Sequence, residues 1–314
     1  MNDPKAPLIS IALCTYNGSK YLREQLDSLV HQTYPNIEIS VFDDCSTDDT
    51  WAILLEYALN YPQIKLHQNS HNLGYQKNFE TNFKACLGDL IAPSDQDDIW
   101  ALDKIEKLYL ILKDHILVYH DSELINSEGS SMGLSIGSRL NFVKGKSPRS
   151  FLFFNCVSGH SMLFKKELLG HIFPLPNKGF YDHWIAFVAS HFGSIDYIDA
   201  CLVKYRQHPQ NLTDILGSKR KESKLQITLS RIQRENDWLE ICAAYEMQNT
   251  GAGFNTRLFN QGKPRINNYF NFRFGLTIWK NQQELLFIPK QKAKRRIGFA
   301  IRQIWGMKTK TIFK

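Results

Sequence analysis

The sequence predicts an α/β protein with a mainly parallel sheet and helices on both of its faces, followed by a mostly helical C-terminal extension. Short apolar runs alternate with segments of helical periodicity through the first 120 residues. This alternation is typical of βαβ units, which are right-handed and form parallel sheets. Each apolar run is also followed by polar residues, and near residue 215 the pattern becomes mostly helical.

The first two units are the clearest. Residues 8–14 form a continuous apolar run, as expected of a buried parallel strand, and the polar loop 15–18 ends it. The spacing of the following leucines predicts a helix, which Pro35 ends. Residues 37–42 predict the second strand, and the acidic loop 43–50 leads into the next helix, expected to begin near Asp48 or Asp49.

The next two units are shorter but follow the same order. Residues 64–67 predict a third strand, and the turn at 72–74 leads into a helix. Residues 90–92 predict a fourth strand, followed by an acidic cluster, and residues 116–119 predict a fifth that ends at His120 and Asp121. Because parallel sheets bind ligands beyond the carboxyl ends of their strands, we expect the polar residues there to share one site. Turn chemistry alone also favours Asn, Asp and Gly at such positions.

The second half is less regular. Residues 130–149 are rich in Gly and Ser and are expected to form a mobile loop, residues 159–164 a strand, and residues 195–205 a further strand. Tyr181 is expected to open a helix, and a long helix is expected over 219–247. We therefore predict one domain over 1–215 and a helical C-terminal region over 216–314.

Composition limits the possible classes. The 314 residues are 43% hydrophobic and 22% charged, which is ordinary for a globular protein. Six cysteines are widely spaced without a C-x-x-C pair, which argues against a disulfide framework or a zinc site and indicates a reduced, cytoplasmic setting. The apolar run near the N-terminus is too short for a signal peptide, and no stretch reaches the roughly 18 apolar residues of a membrane span.

The net charge of +7 is concentrated at the C-terminus. Residues 290–314 contain nine Lys or Arg and no acid, so the remaining residues carry a net charge of −2. Apolar residues recur there at helical spacing: Ile297, Ala300, Ile301, Ile304 and Trp305. A basic amphipathic helix suits the anionic inner face of a plasma membrane. Packing on the protein is the alternative, and no aromatic-basic module indicates nucleic acid.

The acidic cluster after the fourth strand is the most informative segment. Asp95, Asp97 and Asp98 fall within four residues. Carboxylates this close repel each other, and a divalent cation such as Mg²⁺ or Mn²⁺, which brings phosphate oxygens with it, would satisfy them. The alternative is a solvated acidic turn that caps the helix expected near Ala101.

Three motifs resemble those of the family-2 inverting glycosyltransferases of GT-A fold. Residues 12–18 (ALCTYNG) resemble the family's first-strand entry, and residues 41–50 (VFDDCSTDDT) match its D-D-x-S-x-D-x-T element. Residues 95–98 (DQDD) lie where the family has its D-x-D metal motif. The resemblance covers about residues 7–212. The segments DQDDIW, YDHW and YRQHP resemble bacterial rhamnosyltransferase-like enzymes of surface polysaccharide synthesis, including lipopolysaccharide or capsule.

The resemblance implies a donor site in a nucleotide-sugar half over about 1–121. It implies that Asp97 is nearest to the metal, that Asp95 or Asp98 reaches the ribose or donor sugar, and that Asp44 binds the base. Further donor-site residues implied by the motifs are Thr15, Tyr16, Asn17, Asn72, Gly74 and Lys77. Tyr16 as a core aromatic and Lys77 as a solvated surface lysine are the alternatives.

The resemblance also implies an acceptor half over about 122–215. Asp182 holds the position of the family's catalytic base, although an Asp there also suits a helix N-cap. The family usually has Glu before this Asp, and Tyr181 stands there instead, so the partner of Asp182 stays open. Gly159, His160, His183 and Trp184 are expected at the acceptor site. His208 is expected as a metal ligand and Arg206 at the diphosphate.

The expected function is metal-assisted transfer of a sugar, with inversion, from a nucleotide-diphosphate donor such as dTDP-rhamnose or a UDP-sugar. The expected acceptor is a glycan or a lipid-linked oligosaccharide. A nucleotidyltransferase is the first alternative, but residues 15–18 lack the glycine- and lysine-rich phosphate loop that this class usually needs. A non-catalytic nucleotide- or sugar-binding protein is the second, and retention of Asp44, Asp97 and Asp182 argues against it.

Overall fold

The computed structural model describes residues 6–209, 211 and 223–312. The chain divides into two compact units, one of Met1–Lys146 with Cys156–His208 and one of Ser147–Asn155 with Pro209–Lys314. The short segment Ser147–Asn155 thus belongs with the C-terminal unit, although it lies within the predicted acceptor half. The predicted boundary at residue 215 and the predicted helix start at Lys219 lie outside the described residues.

The first unit is built on a mixed sheet. Its described strands are β1 (Ile9–Thr15), β2 (Ile37–Asp43), β3 (Ile64–Gln68), β4 (Leu90–Ser94), β5 (Ile99–Trp100), β6 (Leu117–Ile125), β7 (Ser131–Ser135), β8 (Leu163–Lys165) and β9 (Ile195–Arg206). The order across the sheet is β3-β2-β1-β4-β8-β6-β9-β5, and β7 pairs with β6. Its described helices are α1 (Ser19–Val30), α2 (Thr50–Asn60), α3 (Tyr75–Ala85), α4 (Lys104–Leu112), α5 (Leu169–Ile172) and α6 (Tyr181–Phe192).

The parallel half of the sheet follows the predicted βαβ units. Strand β1 pairs in parallel with β2 on one side and with β4 on the other, and β2 pairs in parallel with β3. Ile9, Ile11 and Leu13 of β1 are fully buried, and burial of each such side chain stabilises the fold by about 1.5–3 kcal/mol. The carboxyl ends of β1, β2 and β4 therefore lie side by side.

The other half of the sheet departs from the sequence prediction. The predicted strand at 159–164 is a 3₁₀ helix, Gly159–Ser161, followed by the short β8, which runs antiparallel between β4 and β6. Strand β6 continues past His120 to Ile125 and pairs in parallel with β9. The predicted loop 130–149 contains β7. These errors share a cause, because short or polar strands are decided by their neighbours rather than by an apolar run.

Two buried asparagines fix helix α3 on the sheet. Asn82 Nδ2 donates to the carbonyl oxygens of Leu13 and Ser40, both at 2.9 Å, and Asn78 Nδ2 donates to Phe42 O at 2.9 Å. Buried carbonyl groups left without partners are costly, so these amides hold the helix in register with the ends of β1 and β2. The loop before α3 is also held by hydrogen bonds to a buried side chain, that of Asp44.

The described part of the second unit is helical. Its helices are α7 (Lys224–Asn249), α8 (Phe254–Gly262), α9 (Phe272–Lys280), α10 (Gln282–Leu285), α11 (Ala293–Ile304) and α12 (Met307–Ile312). Helix α11 packs inward through Phe299 and Ala300, and the Phe299 ring contacts Phe153 and Phe154. The predicted basic amphipathic tail therefore does form a helix that packs on protein, while Ile297, Ile301 and Trp305 stay exposed.

Candidate active site

Loops at the carboxyl ends of β1, β2 and β4 are tied together by hydrogen bonds. Thr15 Oγ1 donates to Asp43 Oδ1 at 2.9 Å, joining the ends of β1 and β2. The side-chain amide of Gln96 makes two hydrogen bonds with the backbone of Tyr16. Tyr16 N donates to Gln96 Oε1 at 2.8 Å, and Gln96 Nε2 donates to Tyr16 O at 3.0 Å. Sequence reasoning passed over Gln96, whose position between two carboxylates was the available signal.

The position of Gln96 also explains why residue 18 is a glycine. A Cβ on Gly18 would overlap the Gln96 side-chain amide, so a larger residue there would displace it. The neighbouring Asn17 has φ +47° and accepts a hydrogen bond from Thr47 N at 2.8 Å. Asn tolerates this left-handed conformation better than most residues. Tyr16 is half exposed rather than a core aromatic.

Asp44 is buried, and its contacts hold the loop that precedes α3. Asp44 Oδ1 accepts from Asn69 Nδ2 at 2.9 Å and from Leu73 N at 2.8 Å, and Asp44 Oδ2 accepts from Gly74 N at 2.9 Å. Asn72 Oδ1 also accepts from Gly74 N, and Gly74 has φ +80°, which a residue with a side chain would adopt only under strain. Asp44, Asn72 and Gly74 thus come together as the motif implied, and base binding by Asp44 stays a prediction.

Lys77 is an exposed residue in the first turn of α3. Its Nζ is 3.3 Å from Glu80 Oε1, which also pairs with Lys84 at 2.6 Å. The Lys77 side chain is mostly exposed, as the surface-lysine alternative describes, although its partner Glu80 is buried.

The three carboxylates of the acidic cluster have different surroundings. Asp97 Oδ2 lies 2.7 Å from His208 Nε2, and the His208 ring packs at 5.1 Å from the ring of Tyr21. Asp98 is fully buried and Asp95 is partly exposed. The helix cap expected near Ala101 is not made by this cluster, because α4 begins at Lys104 with Asp103 before it. A carboxylate and an imidazole facing each other at this distance are a suitable ligand pair for Mn²⁺ or Mg²⁺.

A second group of candidate ligand atoms includes the other two carboxylates of the cluster. Asp95, Asp98 and His160 each offer one atom, all within 4.8 Å of one another. His160 Nδ1 is 3.4 Å from Asp98 Oδ2 and 3.7 Å from Asp95 Oδ2. No hydrogen bond reaches the buried Asp98 Oδ2 within the part of the chain described here. Burial, and then the charges of Asp97 and Asp95, raise the pKa of Asp98 well above its usual range, so a bound cation would relieve both the repulsion and the missing contact.

His160 is therefore placed differently from the acceptor edge that we expected. Its side chain is almost fully buried, and Nε2 lies 2.9 Å from Ser122 Oγ. Burial holds the pKa of His160 below its usual range. Lys104, which is fully buried beneath it, donates to the His160 carbonyl oxygen at 2.7 Å. Through these contacts His160 helps to hold the acidic cluster in position.

Arg206 and Trp184 also differ from their expected surroundings. Arg206 is 1% exposed; Nε donates to Asp97 O at 2.8 Å, and Nη2 donates to Glu24 Oε2 at 2.6 Å. Its backbone N donates to Asp98 Oδ1 at 3.0 Å. These contacts hold the acidic loop in place, and the expected contact of Arg206 with a diphosphate stays a prediction. Trp184 is buried and its Nε1 donates to Ile172 O at 2.8 Å, so it belongs to the core instead of the expected acceptor surface.

Asp182 lies in the first turn of α6. Asp182 Oδ1 accepts from His183 N at 2.6 Å, and the backbone N–H of Gly159 also bonds to this carboxylate. Burial is the main cause that raises the pKa of Asp182 to about 7, and the negative charge of Asp95 adds to it. A carboxyl group with a pKa near 7 is suited to general-base catalysis at neutral pH.

Tyr181 occupies the place where the resemblance led us to expect Glu. It is buried, and its ring packs against Tyr75, Phe79 and Phe83. A Cβ on Gly159 would overlap the Tyr181 hydroxyl, so glycine is required beside it. Gly159 and Tyr181 thus hold the Asp182 turn through close packing.

Comparison with known proteins supports the predicted enzyme class. A model described as "Glycosyl transferase family 2" matches residues 10–173. An uncharacterized glycosyltransferase of Haemophilus influenzae is 28% identical over 246 residues, which cover 73% of each chain. The Escherichia coli protein WfgD, a UDP-Glc:alpha-D-GlcNAc-diphosphoundecaprenol beta-1,3-glucosyltransferase, is 35% identical over 122 residues, 38% of this chain and 47% of that protein.

Solved structures support the fold. The crystal structure of S. aureus TarS residues 1–349 in complex with UDP-GlcNAc has a TM-score of 0.58 and 19% identity, and the match covers 94% of this chain and 81% of TarS. This likeness confirms the predicted GT-A fold with its helical C-terminal part. The family match covers more than half of the chain and confirms the predicted transferase class. The chain belongs to glycosyl transferase family 2.

Proposed function

We propose that this enzyme transfers a hexosyl group from a nucleoside-diphosphate sugar to a hydroxyl of a glycan or lipid-linked acceptor, with inversion at the anomeric carbon. The observation that carries the proposal is the presence of two unlike centres beside the acidic cluster. One is the ligand pair Asp97–His208, and the other is Asp182, whose pKa is raised to about 7.

Inversion is favoured by the presence of a base on the acceptor side. Asp182 would take the proton of the acceptor hydroxyl while the hydroxyl oxygen attacks the anomeric carbon of the donor. The bond from that carbon to the diphosphate oxygen breaks in the same displacement, and the nucleoside diphosphate leaves. The hydrogen bonds from His183 N and Gly159 N orient the carboxylate for this step.

A divalent cation fits the acidic side of the site. Asp97 and His208 would hold it, and the neighbouring Asp98 has a buried oxygen with no hydrogen bond from the described residues. When bound, the cation supplies positive charge next to the leaving diphosphate. The protein's own contribution is to keep Asp97 fixed, through the Arg206 contact to its carbonyl oxygen.

We favour a UDP-sugar as donor, with dTDP-rhamnose as the second choice. Support comes from the relatives: WfgD is a UDP-Glc-dependent enzyme by name, and TarS was solved with UDP-GlcNAc. WfgD acts by name on a diphosphoundecaprenol-linked acceptor, which supports a lipid-linked acceptor. A role in surface polysaccharide synthesis on the cytoplasmic side of the membrane is part of the same proposal. Asp44, with Thr15, Tyr16 and Asn17, forms the proposed nucleotide end of the site.

The test is release of nucleoside diphosphate from a panel of UDP-, GDP- and dTDP-sugars, with and without Mn²⁺. We expect metal-dependent release with one donor class, no release by Asp97→Asn, and donor binding without transfer by Asp182→Asn. Normal turnover by Asp182→Asn would show that the base is misassigned. Nucleotide transfer instead of sugar transfer would contradict the proposal as a whole.

A further inference from the structure

Helices α9 and α11 expose an apolar face that the described residues of the second unit do not cover. The exposed residues are Phe272, Leu276, Trp279, Ile297, Ile301 and Trp305, and their side chains are between 39% and 66% exposed. On α9 they recur at i, i+4 and i+7, and on α11 with its C-cap at i, i+4 and i+8, so each set lies on one side of its helix. We name these six residues the α9–α11 face.

The two sets belong to one continuous surface. At Gly275 a Cβ would overlap the Ile304 side chain and lie 3.0 Å from Ala300 O, so the helices cross in close contact there. Both helices turn their opposite sides inward, through Phe274 and Ile278 on α9 and Phe299 and Ala300 on α11. The exposed sides therefore meet along the outer edge of the same crossing.

Aromatic contacts extend this surface around the helix ends. The ring of Phe270 lies 5.6 Å from the ring of Phe272 and 5.2 Å from that of Trp305. Asn271 N donates to Ile304 O at 2.7 Å, and Gly306 N donates to Tyr269 O at 2.8 Å, so the start of α9 and the end of α11 are fastened together. A cluster of exposed rings this large on fixed backbone marks an interaction surface rather than scattered apolar exposure.

The charge around this face selects the partner. Helices α9 and α11 together carry six Lys or Arg and no acid. Arg273, Lys280 and Lys294 are exposed on the same two helices. Two copies of a surface this basic would repel each other across a symmetric contact. Apolar and tryptophan side chains with flanking lysines and arginines suit the headgroup region of an anionic bilayer.

We propose that the α9–α11 face docks the protein on an anionic lipid bilayer. The surface is wider than the tail helix that the sequence indicated, because α9 supplies half of its apolar residues. No helix within the described residues is long and apolar enough to cross a bilayer, and this docking is peripheral. The proposal does not depend on the donor or the acceptor, since it concerns binding of lipid alone.

The test is co-sedimentation of the full chain with vesicles of phosphatidylcholine, alone or with one third phosphatidylglycerol, without substrates. The disabling variant is Leu276→Glu with Ile301→Glu. Its matched control is Leu59→Glu with Met247→Glu, which places the same two charges on exposed apolar residues elsewhere, 88% and 50% exposed. Since all four side chains are exposed, every variant should fold, and circular dichroism checks this.

We expect the wild type to bind the anionic vesicles and to release them at high salt. The disabling variant should bind about tenfold more weakly or worse, with the control within about twofold of wild type. Lys280→Gln with Lys294→Gln should weaken binding about fivefold for each charge removed. Equal binding by the disabling variant and its control, or no binding by wild type, overturns the proposal. A third outcome also overturns it: in ultracentrifugation the wild type is a dimer and the disabling variant is a monomer, and neither protein binds vesicles. The face would then bind a second copy of the chain.

Discussion

Asp97 Oδ2 and His208 Nε2 lie 2.7 Å apart although 111 residues separate them in the sequence. Strand β9 makes this possible: it pairs with β5, which directly follows the acidic cluster, and His208 lies two residues beyond its end. The side chain of Asp97 is 13% exposed and that of His208 is 8% exposed. The two side chains are thus in hydrogen-bond contact and close enough to share one cation.

The first prediction concerns this pair. Asp97→Asn and His208→Ala should each lower the affinity for Mn²⁺ in the presence of donor by about ten- to a hundredfold, because each removes a proposed ligand. Calorimetric titration of Mn²⁺ in the presence of donor measures this. His31→Ala, which changes an exposed histidine at the end of α1, is the matched control and should leave the titration unchanged. A wild-type titration for His208→Ala would remove His208 from the ligand set.

The second prediction is a pH dependence. The pKa of Asp182 is about 7 in the free enzyme, and a general base works only when it is deprotonated. The value of kcat/KM should therefore rise with pH, reach a plateau above about pH 8, and fall about tenfold per unit well below pH 7. The measurement is kcat/KM from pH 5.5 to 9 at constant ionic strength.

A histidine could give the same profile, so the control must separate the two. His183→Asn keeps Asp182 and the backbone N–H that donates to it. We expect this variant to retain the acidic limb and Asp182→Asn to lose activity at every pH. Loss of the acidic limb in His183→Asn would assign the titration to that histidine instead.

The third prediction tests the packing around the base. Gly159→Ala places a methyl group against the buried Tyr181 hydroxyl, so the free energy of unfolding should fall by about 1–3 kcal/mol. Tyr181→Phe removes that hydroxyl and should recover part of the loss in the double variant. Chemical denaturation of the four proteins in this double-mutant cycle gives the interaction energy. Additive effects would mean that the two residues do not meet.

Some of this site follows from the sequence and some does not. The motifs at residues 15–18, 43–50 and 95–98 end apolar strands, and parallel order alone brings them to one edge of the sheet. The position of β8 did not follow, because three residues with two paired positions on each side leave almost no pattern. Trp184 was misjudged since its neighbours in sequence look like a site, whereas the period of α6 turns it inward.

Arg206 shows that the burial of a charged side chain is also hard to predict from sequence. An arginine after the last strand suggested contact with phosphate, but sequence alone says nothing of burial. In the fold, its guanidinium reaches Asp97 O, Ser127 O and Glu24, and its plane lies 4.6 Å from the ring of Tyr21. These partners come from three separate segments, α1 and the loops that follow β4 and β6, and only the tertiary structure brings them together.

The fourth prediction separates the two roles for Arg206. Arg206→Lys loses the planar fork that reaches several acceptors at once. If Arg206 positions the acidic loop, the free energy of unfolding should fall by about 3 kcal/mol, as for other buried charged networks that lose one partner. The Mn²⁺ concentration for half-maximal activity should rise in the same variant, because Asp97 O would lose its hydrogen bond and the loop its fixed position. Denaturation and a metal titration of activity measure the two effects.

The neighbouring Arg23 provides the control. It pairs with Glu56 on the exposed surface of α1 and α2, where solvent screens the pair, so Arg23→Lys should change neither stability nor metal requirement. A diphosphate ligand would behave differently from a positioning residue: Arg206→Lys would then keep wild-type stability and metal dependence and raise only the KM for the donor. The burial of Arg206 and its bond to Asp97 O favour the first outcome.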